Sequence, residues 1–202
     1  MTTQSDTYLT IENASEGLFK DKGSKFIAYA YPVSTEEEIK DHIARLKKEH
    51  HNARHHCYAW RLGAEKKLFR ANDDGEPSST AGKPILGQIQ ANDLTNILIV
   101  VVRYFGGTLL GVSGLINAYR EGAAEAIENA VIVEKIVEDI IKVDFDYLNM
   151  NNVMKVIKDD NLNQVETKFD LNCTIKLAVR QNDTERILNK FNDIIGVQTE
   201  IL

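Results

Sequence analysis

Three groups of residues in this 202-residue chain have side chains that can do chemistry. Four of the five histidines lie close together, at positions 50, 51, 55 and 56, and such a cluster suggests a metal site. Three carboxylates lie in one short turn, where they can pair as general acid and base or hold Mg²⁺. This acidic turn consists of Asp73, Asp74, Gly75, Glu76 and Pro77. A single cation, Arg103, lies between a long apolar run and two glycines, where a phosphate could be bound.

The histidine spacing does not favour a metal site. The chain has no H-E-x-x-H motif, and Asn52 interrupts the helix that would place two histidines on one face. Strand alternation puts His55 and His56 on opposite faces. The pattern is therefore more typical of surface and half-buried histidines, and we predict no metal and no cofactor.

The acidic turn is explained by turn chemistry without any catalytic role. Asp side chains close local hydrogen bonds, Gly75 supplies positive φ, and Pro77 blocks a strand from continuing. A role in a site stays an alternative.

Arg103 follows the most apolar run of the chain. Ile97–Val102 is continuous and β-branched, which predicts a strand buried on both faces. Gly106 and Gly107 then allow a close backbone approach, and the amides of the next helix point to the same place. Because neither a P-loop nor a G-x-G-x-x-G motif is present, the loop supports only a generic anion contact.

The elements that position these groups can be read from periodicity. Tyr8–Phe19 and Lys25–Val33 predict an opening β-hairpin. Ser34 with Glu37 predicts a capping box, followed by a helix to about His50. The remaining elements of the first part are a strand over 54–62, a possible partner over 67–70, a helix or turn over 78–89, the apolar strand, and a helix over 114–130.

After residue 136 the pattern changes to the order βαββαβ. Alternation is clearest at Leu171, Cys173, Ile175, Leu177 and Val179, and Asn182 with Glu185 predicts a cap for the last helix. About 65 residues in this order is the ferredoxin-like plan. We therefore predict an α+β protein with two domains, residues 1–134 and 135–202.

Charge and composition limit the function classes. A net charge of −6 argues against nucleic acid, but residues 40–70 hold nine Lys or Arg against three acids. This basic segment is either a solvated surface or a binding patch. We expect a cytoplasmic protein, since no signal peptide or membrane span is evident, and two reduced, buried cysteines.

Two sequence blocks resemble the signature of the IMPACT family. They are DDGEPSSTAGKPIL in the acidic turn and VVVRYFGGTLLG followed by NAYREGA around Arg103. The resemblance implies a ribosomal-protein-like N-terminal βα domain and a C-terminal domain like that of elongation factor G. It also implies a link to translation and nucleic-acid binding, with no established reaction.

Two function classes fit these observations. The first is a non-catalytic module that binds RNA, the ribosome or a translation factor. Its expected binding residues are Lys25, Arg54, His55, Tyr58, Lys83, Arg103, Tyr104, Gly106 and Gly107. The second is a small hydrolase or phosphate-ligand enzyme at the acidic turn and Arg103. In either class Arg103 is paired internally with an acid of the turn or is presented to a phosphate, and we expect the phosphate contact.

Overall fold

The computed structural model describes residues 6–170 and 172–202, in a mixed α+β architecture. The described residues group into two compact units. The N-terminal unit comprises Tyr8–Lys135, and the C-terminal unit comprises Ile136–Leu202 together with Asp6 and Thr7. The α+β class predicted from the sequence is confirmed.

The N-terminal unit is built on a five-stranded antiparallel sheet in the order β2-β3-β6-β4-β5. Its strands are β2 (Ser15–Asp21), β3 (Ser24–Pro32), β4 (His55–Leu62), β5 (Leu68–Asn72) and β6 (Ile97–Tyr104). Strand β6 is the middle strand, and all of its residues except Tyr104 are buried. The apolar run before Arg103 is therefore a central strand covered on both faces, as predicted.

Helices cover the two faces of this sheet. They are α1 (Glu36–Glu49), α2 (Gly82–Ala91) and α3 (Gly111–Glu128). One core lies between the sheet and helices α2 and α3, where Phe26 and Tyr119 are fully buried. The other lies on the α1 side, with Leu46 of α1 and Trp60 of β4. The alanine-rich surface of α3 allows the close helix-to-sheet packing predicted for it.

Two predicted details of this unit are wrong. The α1 cap is Thr35, not Ser34: the Thr35 hydroxyl accepts a hydrogen bond from the Glu38 amide at 3.2 Å. Tyr8–Phe19 is not one strand but two, β1 (Thr7–Ile11) and β2. Strand β1 pairs with β7 (Ile132–Ile136) in a separate two-stranded sheet, a long-range pairing that local alternation cannot reveal.

The C-terminal unit has the βαββαβ order predicted from the sequence. Its elements are β8 (Glu138–Asp146), α4 (Met150–Asp159), β9 (Asn163–Lys168), β10 (Asn172–Arg180), α5 (Thr184–Asn192) and β11 (Gln198–Ile201). They form an antiparallel sheet in the order β11-β8-β10-β9. Leu171, placed in β10 by its alternation, lies outside the described residues.

Two ends of the C-terminal unit differ from expectation. The Asn182–Glu185 capping box does not form, because residues 181–183 make a 3₁₀ turn and α5 has no side-chain cap. Asp6 is grouped with this unit because its carboxylate accepts hydrogen bonds at 2.6 and 2.8 Å from the Arg180 guanidinium.

Two general expectations can be compared with the structure. Both cysteines are free and buried, as predicted. Within the described part of the chain, none of the helices has the length and apolar character needed to cross a membrane.

Candidate functional site

The first carboxylate of the acidic turn is used to begin a helix. One oxygen of Asp73 accepts hydrogen bonds from the amides of Ala81 and Gly82, at 3.0 and 2.8 Å. The other oxygen accepts from the Ser79 amide at 2.8 Å. Because Ala81 offers no capping side chain, Asp73 satisfies the amides at the start of α2 from a distance in sequence.

The second carboxylate fixes the turn to the sheet. Asp74 accepts from the backbone amide of His56 at 2.8 Å and from the Lys47 ammonium at 3.1 Å. Its carbonyl oxygen lies 2.9 Å from Nδ1 of His55. Gly75, at φ +88°, lies against the His55 ring, so the positive φ predicted for this glycine is observed.

The third carboxylate is the buried partner of Arg103. Oε1 of Glu76 lies 2.6 Å from the Arg103 guanidinium and accepts a hydrogen bond from the Tyr119 hydroxyl at 2.8 Å. The Glu76 and Arg103 side chains are only 4% and 8% exposed. Of the two alternatives stated for Arg103, the structure shows the internal ion pair.

Aromatic rings and a thiol complete this buried network. The guanidinium carbon of Arg103 lies 5.5 Å from the Phe26 ring centre and 5.6 Å from that of Phe105. The Cys57 thiol lies 3.3 Å from the Tyr119 hydroxyl. Burial raises the pKa of both Cys57 and Tyr119, so both groups stay protonated near neutral pH. A protonated, buried thiol is a poor nucleophile.

The glycines after Arg103 serve the fold in a way that sequence reasoning did not foresee. A Cβ on Gly106 would lie 1.9 Å from the Gly23 carbonyl carbon, so the close approach is to the β2–β3 turn and not to a ligand. The Gly106 amide also donates to the Ser24 hydroxyl at 3.1 Å. Gly107, at φ +88°, provides a backbone conformation that L-residues avoid.

A different group of residues forms an open surface on the α1 side of the sheet, here called the open sheet face. Its members are Glu16, Leu18, Lys20, Lys25, Ile27, Tyr29 and Tyr104. Lys25 lies directly opposite Lys20 on β2 and opposite Tyr104 on β6. A recess of about 370 Å³ lies here, lined by Gly23, Lys25, Ile27, Tyr104 and Phe105.

His50 holds the two tyrosines of the open sheet face in place. Its Nε2 lies 2.9 Å from the Tyr29 hydroxyl and its Nδ1 lies 2.8 Å from the Tyr104 hydroxyl. Burial, followed by the nearby Glu16 charge, raises the pKa of Tyr29 to about 12. Tyr29 also stacks on Tyr31, with ring planes 3° apart. The face therefore presents rigid, neutral aromatic rings beside the two ammonium groups of Lys20 and Lys25, with the carboxylate of Glu16 at its other end.

The structure brings together only some of the predicted binding residues. Lys25 and Tyr104 are neighbours, and the exposed Arg54 precedes β4 at the same end of the sheet, where His55 pairs with Arg103. Tyr58 packs half-buried on the α1-side core, and Lys83 is exposed in the first turn of α2. Arg103 faces the opposite side of the sheet from Tyr104, because adjacent residues of a strand alternate.

The basic segment carries less free charge than its composition indicates. Six of its cations have acidic partners in the structure: Lys40 with Glu37, Arg45 with Glu49, Lys47 with Asp74, Arg61 and Lys66 with Asp93, and Lys67 with Glu65. Sequence reasoning missed Lys20, Tyr29 and His50 as members of a surface. The alternation of Lys20 and Leu18 in β2 was the available signal. Over residues 6–170 and 172–202, no group of three or more His, Cys, Asp or Glu is placed to hold a metal ion.

Comparisons with known proteins match the chain to members of one family. The Impact N-terminal domain model matches residues 22–127. The IMPACT family member YvyE of Bacillus subtilis is 31% identical over 195 residues, covering 96% of this chain and 90% of its own. The family member YigZ of Escherichia coli is 40% identical over 116 residues, covering 56% of this chain and 57% of its own.

One solved structure shows the same architecture over nearly the whole chain. A crystal structure described as that of a hypothetical protein covers 98% of both chains at 26% identity, with a TM-score of 0.77. The two-domain translational regulator Yih1 is 24% identical over 64% of this chain and 52% of its own. Its TM-score of 0.39 is too low to support a fold comparison.

Proposed function

This chain belongs to the IMPACT family, and from that premise we propose that it is a non-catalytic binding protein of the translation apparatus that contacts RNA. The proposed contact surface is the open sheet face. Phosphate contacts from lysines position such a protein, and exposed bases stack on its aromatic rings.

The observation that carries this proposal is the pairing of Lys20 with Lys25. The two lie directly opposite each other on adjacent antiparallel strands, where like charges are unfavourable. In the described part of the chain neither lysine has an acidic partner within ion-pair distance, although many other surface cations do. An anionic ligand such as a phosphate group would relieve this repulsion.

Tyr104 supplies the second half of the argument. It lies next to Lys25 across the sheet, and its hydroxyl is bound by His50, so the orientation of the ring is fixed. A ring held in advance loses little conformational freedom when a base stacks on it. Cations and rigid aromatic rings in one recess are the combination that single-stranded nucleic acid binds.

The carboxylates and the arginine that an enzyme would use here are engaged in structural contacts. Glu76 and Arg103 neutralise each other inside the unit, and Asp73 and Asp74 are bound to backbone amides. None of these groups lines the recess on the open sheet face. The buried polar network supports a role in stability.

We also infer that the C-terminal unit is ferredoxin-like, as its βαββαβ order and sheet order support. Its likeness to the C-terminal domain of elongation factor G stays a prediction. The side of its sheet that faces away from α4 and α5 carries Lys142 paired with Asp144 and Lys176 paired with Glu166. Such internally neutralised pairs favour placing the RNA contact on the N-terminal unit.

The test is the affinity of the full chain for a fluorescein-labelled, uridine-rich single-stranded RNA, measured by anisotropy over a range of salt concentrations. The double variant Lys20→Gln, Lys25→Gln should weaken RNA binding. The slope of the logarithm of the affinity against the logarithm of the salt concentration should also become shallower, by about one for each lysine replaced. Tyr104→Ala should cost about 1 to 3 kcal/mol of binding, whereas Tyr104→Phe keeps the ring but loses its hydrogen bond to His50 and should bind with an affinity between those of the parent and Tyr104→Ala.

A matched control is available in the C-terminal unit. Lys155→Gln with Lys158→Gln makes the same charge change on exposed residues of α4 and should leave the affinity unchanged. If the Lys20/Lys25 variant and Tyr104→Ala both bind RNA like the parent, the open sheet face is not an RNA surface and the proposal fails.

A further inference from the structure

The loop between β6 and α3 and the first turn of α3 expose three large apolar side chains, here called the apolar cluster. Phe105 is 56% exposed, Leu109 82% and Val112 59%. They lie within eight consecutive residues, whereas most other large apolar side chains of the N-terminal unit are buried. Large exposed apolar side chains grouped in one short segment are typical of interaction sites in soluble proteins.

The apolar cluster is held by packing and is not a loose loop. Leu110, next to Leu109, is buried in the core against α2 and α3, which directs Leu109 outward. A Cβ on Gly114 would lie 2.9 Å from the Leu110 side chain, so the first turn of α3 packs closely on this anchor. At the other end, Gly106 packs on Gly23 of the β2–β3 turn. The loop and that turn therefore form one continuous surface.

The β2–β3 turn, on which the loop packs, has a net positive charge, with Lys20, Lys22 and Lys25 against Asp21. Lys22 lies in the β2–β3 turn, and Lys25 follows at the start of β3. Residues 105–119 contain no charged side chain. Helix α3 begins at Gly111 without a side-chain cap from Leu110, so its first amides add a partial positive charge beside Val112.

We propose that the apolar cluster docks an acidic, amphipathic segment of a partner protein. Leucine-like side chains of the partner would cover Leu109 and Val112, and its carboxylates would face Lys22, Lys25 and the first turn of α3. RNA fits this surface less well, because aliphatic side chains offer bases neither stacking nor hydrogen bonds. This protein contact goes beyond the RNA contact proposed above; the two share Lys25, so RNA and the acidic segment should compete for that lysine.

The probe is a fluorescein-labelled synthetic helical peptide, with leucines at spacings of three and four residues and glutamates between them. Its counterpart has every glutamate replaced by lysine. Binding to the full chain is measured by anisotropy, and backbone NMR shifts locate the peptide. The glutamate peptide should bind and shift the amides of residues 105–113, and the lysine peptide should bind at least about tenfold more weakly.

The test variant is Leu109→Ser with Val112→Ser, which leaves Phe105 on the Arg103 guanidinium. It should weaken the glutamate peptide by about tenfold or more, the usual effect of removing central apolar anchors. Leu148→Ser with Ile195→Ser is the matched control, because these residues are 90% and 94% exposed in the C-terminal unit. The control should bind like the parent.

Several results would overturn the proposal. Equal affinity for the two peptides would remove the charge argument, and unchanged binding by Leu109→Ser with Val112→Ser would remove the apolar one. If that variant instead abolishes a concentration-dependent dimer in sedimentation, the occupant is a second copy of this chain. If it weakens the labelled RNA by the same factor, the surface belongs to RNA.

Discussion

Replacing Arg103 with methionine should destabilise the N-terminal unit by about 3 kcal/mol. Breaking a buried ion pair by removing one partner costs about 3 to 5 kcal/mol, because the remaining charge stays buried without compensation. Here that charge is Glu76, whose side chain is 4% exposed. The Tyr119 hydroxyl still donates to it, which places the expected loss near the lower end of the range.

A double-mutant cycle isolates the pair itself. Glu76→Gln keeps an acceptor for Tyr119 but leaves the guanidinium unpaired, and should cost about 2 kcal/mol. The double variant Arg103→Met, Glu76→Gln should lose less free energy of unfolding than the two single variants lose together, by about 1 to 3 kcal/mol. Lys40→Met is the surface control. The side chains of Lys40 and its partner Glu37 are 70% and 83% exposed, so the free energy of unfolding should change by no more than about 0.5 kcal/mol.

Urea unfolding followed by tryptophan fluorescence measures these losses. The chain has a single tryptophan, Trp60, which is 6% exposed in β4, so the signal reports on the N-terminal unit. A loss below about 1 kcal/mol for Arg103→Met, or additivity in the cycle, would refute the buried-pair reasoning. If RNA affinity also fell in a stable Arg103→Met variant, the guanidinium would be acting on the ligand.

Three further predictions concern the units and their charges. A fragment of residues 8–135 should unfold cooperatively, because its sheet and both cores are complete; absence of a thermal transition would show that it needs the rest of the chain. Chelation by EDTA should leave the melting temperature of the tag-free protein unchanged, and a fall would reveal a structural metal. Hydrogen bonds, first from Lys190 and then from Arg186, hold the pKa of the Asp160 carboxyl below its ordinary value of 3.8. The ionised carboxylate therefore stabilises the folded state above pH 3.8, and this stabilisation is lost as the pH falls through the lowered pKa. Asp160→Asn should therefore reduce the stability of the C-terminal unit at pH 6 and flatten its acid dependence, as followed by NMR; an unchanged acid profile would contradict this.

Local sequence signals predicted the elements well and their long-range pairing poorly. The β-branched run at Ile97–Val102 predicted a strand buried on both faces, since few other environments suit such residues. The separate pairing of β1 with β7 could not be predicted, because these strands are more than one hundred residues apart in the chain. Capping was misplaced at Ser34, where the neighbouring Thr35 caps α1, and at Asn182, where a 3₁₀ turn precedes α5 and no side chain caps that helix.

The sequence predicted several residues of the candidate site correctly, but it did not predict on which face of the sheet each of them lies. Lys25 and Tyr104 were named together and are neighbours on the open sheet face. Arg103 was grouped with them because it is adjacent in sequence, yet it points into the opposite core. Lys20 was not considered, because a lysine in an edge strand looks like any solvated residue until its partner strand is known.

The acidic turn illustrates how a short motif can specify architecture. Asp73 begins a helix, Asp74 holds a strand, and Glu76 neutralises a cation beneath the sheet. Each carboxylate belongs to a different layer of the unit, so losing any one of them disturbs the assembly of all three. Proteins that share these residues consequently share a way of building the domain. Proteins found through the sequence of this turn should therefore share the architecture of the domain. Their binding partners must be inferred from other surfaces of the domain.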